Sequence, residues 1–299
     1  MRAFCCAALV IGASSAALMP CTTVRHGTFR HPRSRVALVG DALLEAAKSG
    51  DAAAMQAYLD SGADLSEANQ GSMALHVAAA RGNAAAVALL LGQGGVDPDV
   101  VQKGVTALHS AAFKNHADVI DLLLAAGADP DALQREDGST ALLEASVSGH
   151  TASVERLLAG GANPDKGSSA KPLPSAAIKD RRDVVAQLLA AGADPNIAED
   201  DGSTALLKAA AVGHGAVVRL LLEGGADPNV GRGDDPITPL HYAAFGGFEE
   251  VVAALLAAGA RLDAADAEGS SPLRFALAQS NHARVAHALL QAGAAFEEL

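Results

Sequence analysis

The chain has 299 residues, half of them apolar, but only 3% are aromatic and none is Trp, which favours close, repetitive helix packing over one globular core. Its cysteines, Cys5, Cys6 and Cys21, all lie within the first 21 residues, so the remainder can hold neither a disulfide framework nor a thiolate metal site. The formal net charge of −12 argues against nucleic acid or an anionic membrane as the partner and favours a basic one.

The first segment, residues 1–40, is predicted to be a targeting presequence that precedes the folded domain, residues 41–299. Arg2 precedes an apolar stretch that ends in small residues, as in a secretory signal, and the stretch is too short and too interrupted for a transmembrane helix. The part that follows is basic, rich in hydroxyl groups and free of acidic residues, as in a transit peptide. Together the two parts resemble the bipartite presequence of algae with complex plastids.

This pattern predicts import into the secretory pathway or a plastid, with removal of the presequence in one or two cleavages. A plain secretory signal, a mitochondrial presequence and a disordered tail on a cytoplasmic protein remain as alternatives. Residues 1–40 carry five arginines and no Asp or Glu, so the −12 of the whole chain leaves −17 on residues 41–299. The folded domain is therefore strongly acidic.

Two ladders of residues divide the folded domain into eight units. Leucines recur at intervals of 31 to 34 residues, at Leu43, Leu75, Leu108, Leu142, Leu173, Leu206, Leu240 and Leu273. Glycines recur in phase with them, at Gly62, Gly95, Gly127, Gly161, Gly192, Gly225, Gly259 and Gly293. A period of this length is typical of a solenoid, in which each unit buries its apolar faces against its neighbours. Each unit takes the name of its ladder leucine below.

Capping signals predict two helices in each unit. A hydroxyl or carboxylate side chain stands where it can cap the first helix, at Asp41, Thr106, Thr140, Thr204, Thr238 and Ser271. A glycine or asparagine stands where that helix must end, at Gly82, Asn115, Gly149, Gly213 and Gly247. The second helix has apolar residues at helical spacing and ends at the glycine ladder, after which Asp-Pro pairs turn the chain.

The motifs Thr238-Pro239-Leu240-His241 and Gly225-Ala226-Asp227-Pro228-Asn229 resemble the ankyrin repeat, and the resemblance covers residues 41 to about 296. It implies an all-α solenoid with a hairpin-like loop and two antiparallel helices per unit, which binds proteins on its concave side. It also implies that a histidine after the ladder leucine, at His76, His109 and His241, makes hydrogen bonds between loops.

The Leu173 unit departs from this pattern. Lys171 replaces the capping threonine, Pro174 replaces the histidine, and Asp180 replaces the glycine that ends the first helix. Proline also disfavours the α conformation in the residue before it. We expect this unit to lack both a cap and a helix stop, and to be the weakest joint of the stack.

No pattern of residues predicts catalysis. The repeat accounts for six histidines: the three after the ladder leucine, and three that follow the helix stops, at His116, His150 and His214. His282 and His287 have no third ligand at a spacing suited to zinc. Every glycine cluster falls at a position that the repeat explains, so none indicates a phosphate-binding loop. No serine lies in a pattern that indicates a nucleophile. The sequence thus predicts no enzyme activity, no cofactor and no metal.

The predicted function is that of a monomeric protein-interaction module or adaptor that binds a partner, favoured to be basic, on the concave face. The alternative is a non-catalytic subunit or regulatory arm of an enzyme complex in an organelle. Candidate binding residues at the hairpin tips are Gln102, Lys103, Glu136, Asp137, Asp200, Asp201, Asp234 and Asp235. Candidates on the first helices are Phe113, Lys114, Val147, Val212 and Phe245. Two alternatives stay open: the phenylalanines pack against the next unit, and the acidic tips are a solvated edge.

Overall fold

The computed structural model describes residues 42–61, 65, 70–92, 96–233, 236–279 and 281–295. The predicted presequence and the tip candidates Asp234 and Asp235 lie outside these residues. The described part contains sixteen helices and no strand. Hairpin-like pairing in the described loops includes two isolated bridges, Gln102 with Val105 and Ala198 with Thr204. The all-α prediction is confirmed.

The helices form eight pairs, one pair for each ladder leucine. The first helices are α1 (residues 42–49), α3 (Gln70–Arg81), α5 (Ala107–Phe113), α7 (Ala141–Ser148), α9 (Pro172–Ile178), α11 (Ala205–Val212), α13 (Pro239–Gly246) and α15 (Pro272–Leu277). The second helices are α2 (Ala52–Asp60), α4 (Ala84–Gly92), α6 (Ala117–Ala125), α8 (Thr151–Ala159), α10 (Arg182–Ala190), α12 (Gly215–Glu223), α14 (Glu249–Ala257) and α16 (Ala283–Gln291).

The pairs stack side by side, and the core runs through all of them. From α3 onward, each first helix packs on its own second helix and on the first helix of the next unit, and the second helices stack in the same way. The ladder leucines are at most 2% exposed. Small side chains such as Ala111, Ala112, Ala243 and Ala244 are fully buried, which lets neighbouring helices approach closely. None of the described helices is long and apolar enough to cross a membrane.

Local chemistry at the helix ends sets the register of the stack. The hydroxyls of Thr140 and Thr204 accept the N–H groups of Leu143 and Leu207 at 3.1 and 3.3 Å. After the first helices, φ lies between 70° and 81° at Gly82, Gly149, Gly213 and Gly247. Since this left-handed conformation is easiest for glycine, these residues end the helices where the sequence predicts.

The Leu173 unit is more regular than the sequence predicts. Lys171 makes no side-chain cap, as expected, but Asp180 takes φ 54° and ends α9 as glycine ends the other first helices. The expectation that this unit lacks a helix stop is therefore wrong. Asp tolerates the left-handed conformation better than most residues, and its carboxylate is held by Arg182, whose Nη2 lies 2.9 Å from Oδ2.

Candidate protein-binding face

A row of exposed apolar side chains runs along the first helices. The residue five positions after the ladder leucine is apolar and at least partly exposed in α5, α7, α9 and α13. In α11 that position is Ala211, and the exposed large apolar side chain is the next residue, Val212. We call these side chains the apolar row: Phe113, Val147, Ile178, Val212 and Phe245. Phe113 is 51% exposed and Phe245 is 54% exposed, while Val147 is half-buried. Because the first helices stack in register, the row crosses five units.

The row concentrates the exposed apolar surface of the protein. In the described part of the chain, eight large apolar side chains are exposed, and four of them belong to the row. Ile178 is a member that sequence reasoning missed, because it lies in the irregular Leu173 unit. Its distance from Leu173 equals that of Phe113 from Leu108, so the spacing alone could have found it.

The two phenylalanines make contacts within the stack but stay open to solvent. The ring of Phe245 meets the ring of Phe275 edge to face, with centroids 6.4 Å apart. The ammonium of Lys114, which is itself exposed, lies 5.0 Å from the centroid of Phe113. Neighbouring units therefore cover only part of each ring.

The tip loops, which precede the first helices, use some of their acidic residues to hold their own shape. Asp137 accepts the N–H of Ser139 at 2.9 Å, and Asp201 accepts the N–H of Ser203 at 2.9 Å. These backbone donors hold the pKa of both carboxyl groups below the ordinary value. Asp201 also pairs with Arg232 of the next tip at 2.9 Å.

The remaining tip candidates differ in what they contact. Gln102 exchanges backbone hydrogen bonds with Val105, and Lys103, next to it, is exposed at φ 51°. Glu136 and Asp200 are exposed, and in the described part of the chain their side chains form no ion pair. These two acids are thus the tip carboxylates most open to a partner.

A shallow pocket of about 270 Å³ opens beside the apolar row, between α5 and α7. Its lining consists of Val105, His109, Ser110, Phe113, Gln134 and Glu144. Burial, and to a smaller extent the nearby charge of Asp137, raises the pKa of the Glu144 carboxyl. Burial lowers the pKa of His109, so that its imidazole is neutral near pH 7.

A cluster of polar contacts around one largely buried ion pair joins the Leu173 and Leu206 units. The carboxylate of Glu199 is only 8% exposed and pairs with the ammonium of Lys208. It also accepts the N–H of Lys171 at 3.0 Å and the hydroxyl of Ser175 at 3.4 Å. In the Leu173 unit, Pro174 stands where other units have the histidine that bonds to the next loop. The cluster around Glu199 joins α9 to that loop instead. The sequence gives no signal for it.

Comparison with known proteins agrees with this architecture. The family model described as "Ankyrin repeats (3 copies)" matches residues 43–134, 127–199, 142–232 and 206–298. The chain belongs to the ankyrin-repeat family. The ankyrin repeat domain of human ASB11 is similar to it over 75% of this chain and 99% of that chain, with 32% identity and a TM-score of 0.64. The ankyrin repeat domain of Bcl-3, described as a unique member of the IkappaB protein family, covers 73% of this chain and 97% of its own, with 29% identity and a TM-score of 0.66.

Curated relatives match a shorter part of this ankyrin-repeat protein. Cyclin-dependent kinase 4 inhibitor B of Mus musculus is 41% identical over 124 residues, which make up 41% of this chain and 95% of the inhibitor. The same inhibitor of Rattus norvegicus is 40% identical over a stretch of the same length.

The three histidines after the ladder leucines join neighbouring loops of this ankyrin-repeat protein, as the resemblance implies. Their Nε2 atoms lie 3.0 to 3.1 Å from a carbonyl oxygen of the next loop: His76 from Val105, His109 from Ser139, and His241 from Ser270. His150 and His214 instead reach back to carbonyl groups at the end of an earlier first helix. Within the described residues, no three His, Cys, Asp or Glu side chains are grouped so that they could hold a metal ion.

Proposed function

We propose that this ankyrin-repeat protein is an interaction module or adaptor whose partner protein docks on the first-helix face, which consists of the apolar row and the tip loops before it. The observation that carries the proposal is the row itself. Exposed apolar side chains that are contiguous and rimmed by charge mark binding surfaces, whereas single ones are common on any protein. One relative is named as an inhibitor of a cyclin-dependent kinase, a role that fits a binding protein.

The composition of the face suits a protein interface. Aromatic residues are enriched among interface anchors, and Phe113 and Phe245 stand at the two ends of the row. The unpaired acids Glu136 and Asp200 lie on the tip side of the face, in a domain whose net charge is strongly negative. Charge of this sign speeds association with a basic partner and disfavours an acidic one. If the partner is an enzyme, the chain is its non-catalytic subunit.

The test is the double variant Phe113→Ala, Phe245→Ala. Both rings are more than half exposed, so their loss should leave the melting temperature unchanged while it weakens partner binding at least about tenfold, or about 1.4 kcal/mol. The partner is first identified by co-purification with the full-length chain, and its Kd is then measured by calorimetry with purified components.

Leu290→Ala is the matched control, because Leu290 is 40% exposed but lies on the second helix α16, away from the row. This variant should bind as the parent does. An unchanged Kd in the double variant, or a fall in its melting temperature that accounts for the lost binding, would refute the proposal.

A further inference from the structure

Two units have similar loops and first helices but opposite charges at one helix position, and the loop of the Leu142 unit is one residue longer. Glu144 stands two residues after Leu142 in α7, and Lys208 stands two residues after Leu206 in α11. The loop residues Gln134 and Glu199 are equivalent in their backbone hydrogen bonds, although the longer loop shifts their distance from the ladder leucine by one residue. The N–H of Gln134 donates to the carbonyl of Ser139 at 2.8 Å, and the N–H of Glu199 donates to the carbonyl of Ser203 at 3.1 Å.

In the Leu206 unit this site is filled from within the chain. Glu199 extends from the loop and neutralises Lys208, and both side chains are largely buried. The geometry therefore brings a loop side chain and a helix side chain at these two positions into ion-pair contact. It shows that one carboxylate and one cation fit together between the loop and the helix.

In the Leu142 unit the same site holds only the carboxylate. Gln134 is neutral, and no Lys or Arg of the described residues pairs with Glu144. Among its neighbours, His109 is neutral near pH 7 and Asp137 is an acid, while Lys114 lies over the ring of Phe113 and forms no ion pair with Glu144. Glu144 is half-buried, so its charge is partly removed from water without the partner that Lys208 has.

The pocket around Glu144 has walls that suit the side chain of a lysine or arginine. Val105 and Phe113 offer apolar surface for the alkyl stem, while Glu144 and the amide oxygen of Gln134 offer acceptors for the charged end. The ring of Phe113 already holds one cation, Lys114, against it, so it tolerates positive charge.

We propose that this pocket receives one lysine or arginine side chain of the partner protein. The inference rests on the proposed function, because the pocket shares Phe113 with the apolar row. It adds that the partner carries a cation next to the apolar group that covers the row. The partner's cation would complete in the Leu142 unit the pair that Glu199 and Lys208 form within the Leu206 unit.

The direct test compares two small probes that differ in charge: N-acetyl-lysine methylamide and N-acetyl-norleucine methylamide. Their binding to the full-length chain is followed by the NMR amide shifts of Phe113, Gln134 and Glu144. We expect the lysine probe to bind at least about tenfold more tightly than the norleucine probe. Glu144→Gln should abolish this preference, and its melting temperature should equal or exceed that of the parent because a desolvated charge is removed.

Glu155→Gln is the control for general loss of negative charge, since Glu155 is exposed on the second helix α8. It should keep the preference for lysine. Equal binding of both probes, no saturable binding of the lysine probe, or a preference that survives in Glu144→Gln overturns the inference. If the phenylalanine double variant loses the partner while Glu144→Gln binds it as the parent does, the proposed function stands and the cation pocket alone is refuted.

Discussion

Replacement of Glu199 by alanine should lower the free energy of unfolding by about 3 kcal/mol, since removal of one partner of a buried ion pair leaves the other charge uncompensated. In this variant the ammonium of Lys208, the N–H of Lys171 and the hydroxyl of Ser175 all lose their partner, at one joint of the stack. Urea unfolding followed by circular dichroism measures the change, and the transition should separate into two steps if the joint fails before the rest.

Gln134→Ala is the matched control, because Gln134 holds the equivalent loop position without an ion pair. Because Gln134 is only partly buried and carries no charge, its replacement should lower the free energy of unfolding by less than about 1 kcal/mol. If Glu199→Ala unfolds with the same free energy as the parent, the cluster does not hold the Leu173 and Leu206 units together. The cation pocket would then lose the comparison on which it depends.

Gly202→Ala should destabilise the protein by a similar amount, about 3 kcal/mol. Gly202 has φ 75°, a conformation that costs an alanine about 1 kcal/mol. A Cβ there would also lie 2.4 Å from the backbone nitrogen of Gly233 in the next tip, and backbone cannot rotate away as a side chain can. Such overpacking adds about 2 kcal/mol.

Gly269→Ala separates the two contributions. Gly269 has nearly the same φ, 78°, but a Cβ at that position meets nothing within 4 Å. Its replacement should therefore cost only the conformational part, about 1 kcal/mol. Thermal unfolding of both variants provides the comparison. Equal losses would show that the tips of the Leu206 and Leu240 units are not in close contact.

The repeat and its helices could be predicted because they follow from local chemistry that recurs. Ladder leucines, capping threonines and helix-ending glycines each act within a few residues of themselves, and the period then places the units side by side. Asp180 shows the limit of such reasoning. The sequence marks it as a lost glycine, but in the stack Asp180 takes the same left-handed conformation as Asn115 and the glycines at this position.

The candidate site could be predicted only in part. The spacing identified Phe113 and Phe245 as outward-facing, and the structure leaves both more than half exposed. Contacts between units could not be predicted from the sequence. Asp201 binds Arg232, which lies 31 residues later, and Glu199 accepts the N–H of Lys171, which lies 28 residues earlier. Pairings at such distances depend on which side chains the stack brings together, and no local pattern encodes them.

Hydroxyl-radical footprinting of the complex with the purified partner tests most directly whether the first-helix face binds a protein. In the free chain, Phe113 and Phe245 are exposed and should oxidise readily, as should Leu290 on α16. With the partner bound, we expect the oxidation rates of both phenylalanines to fall several-fold while that of Leu290 stays unchanged. If the partner binds while the two phenylalanines oxidise at the rates of the free chain, the partner docks elsewhere and the account of this face is wrong.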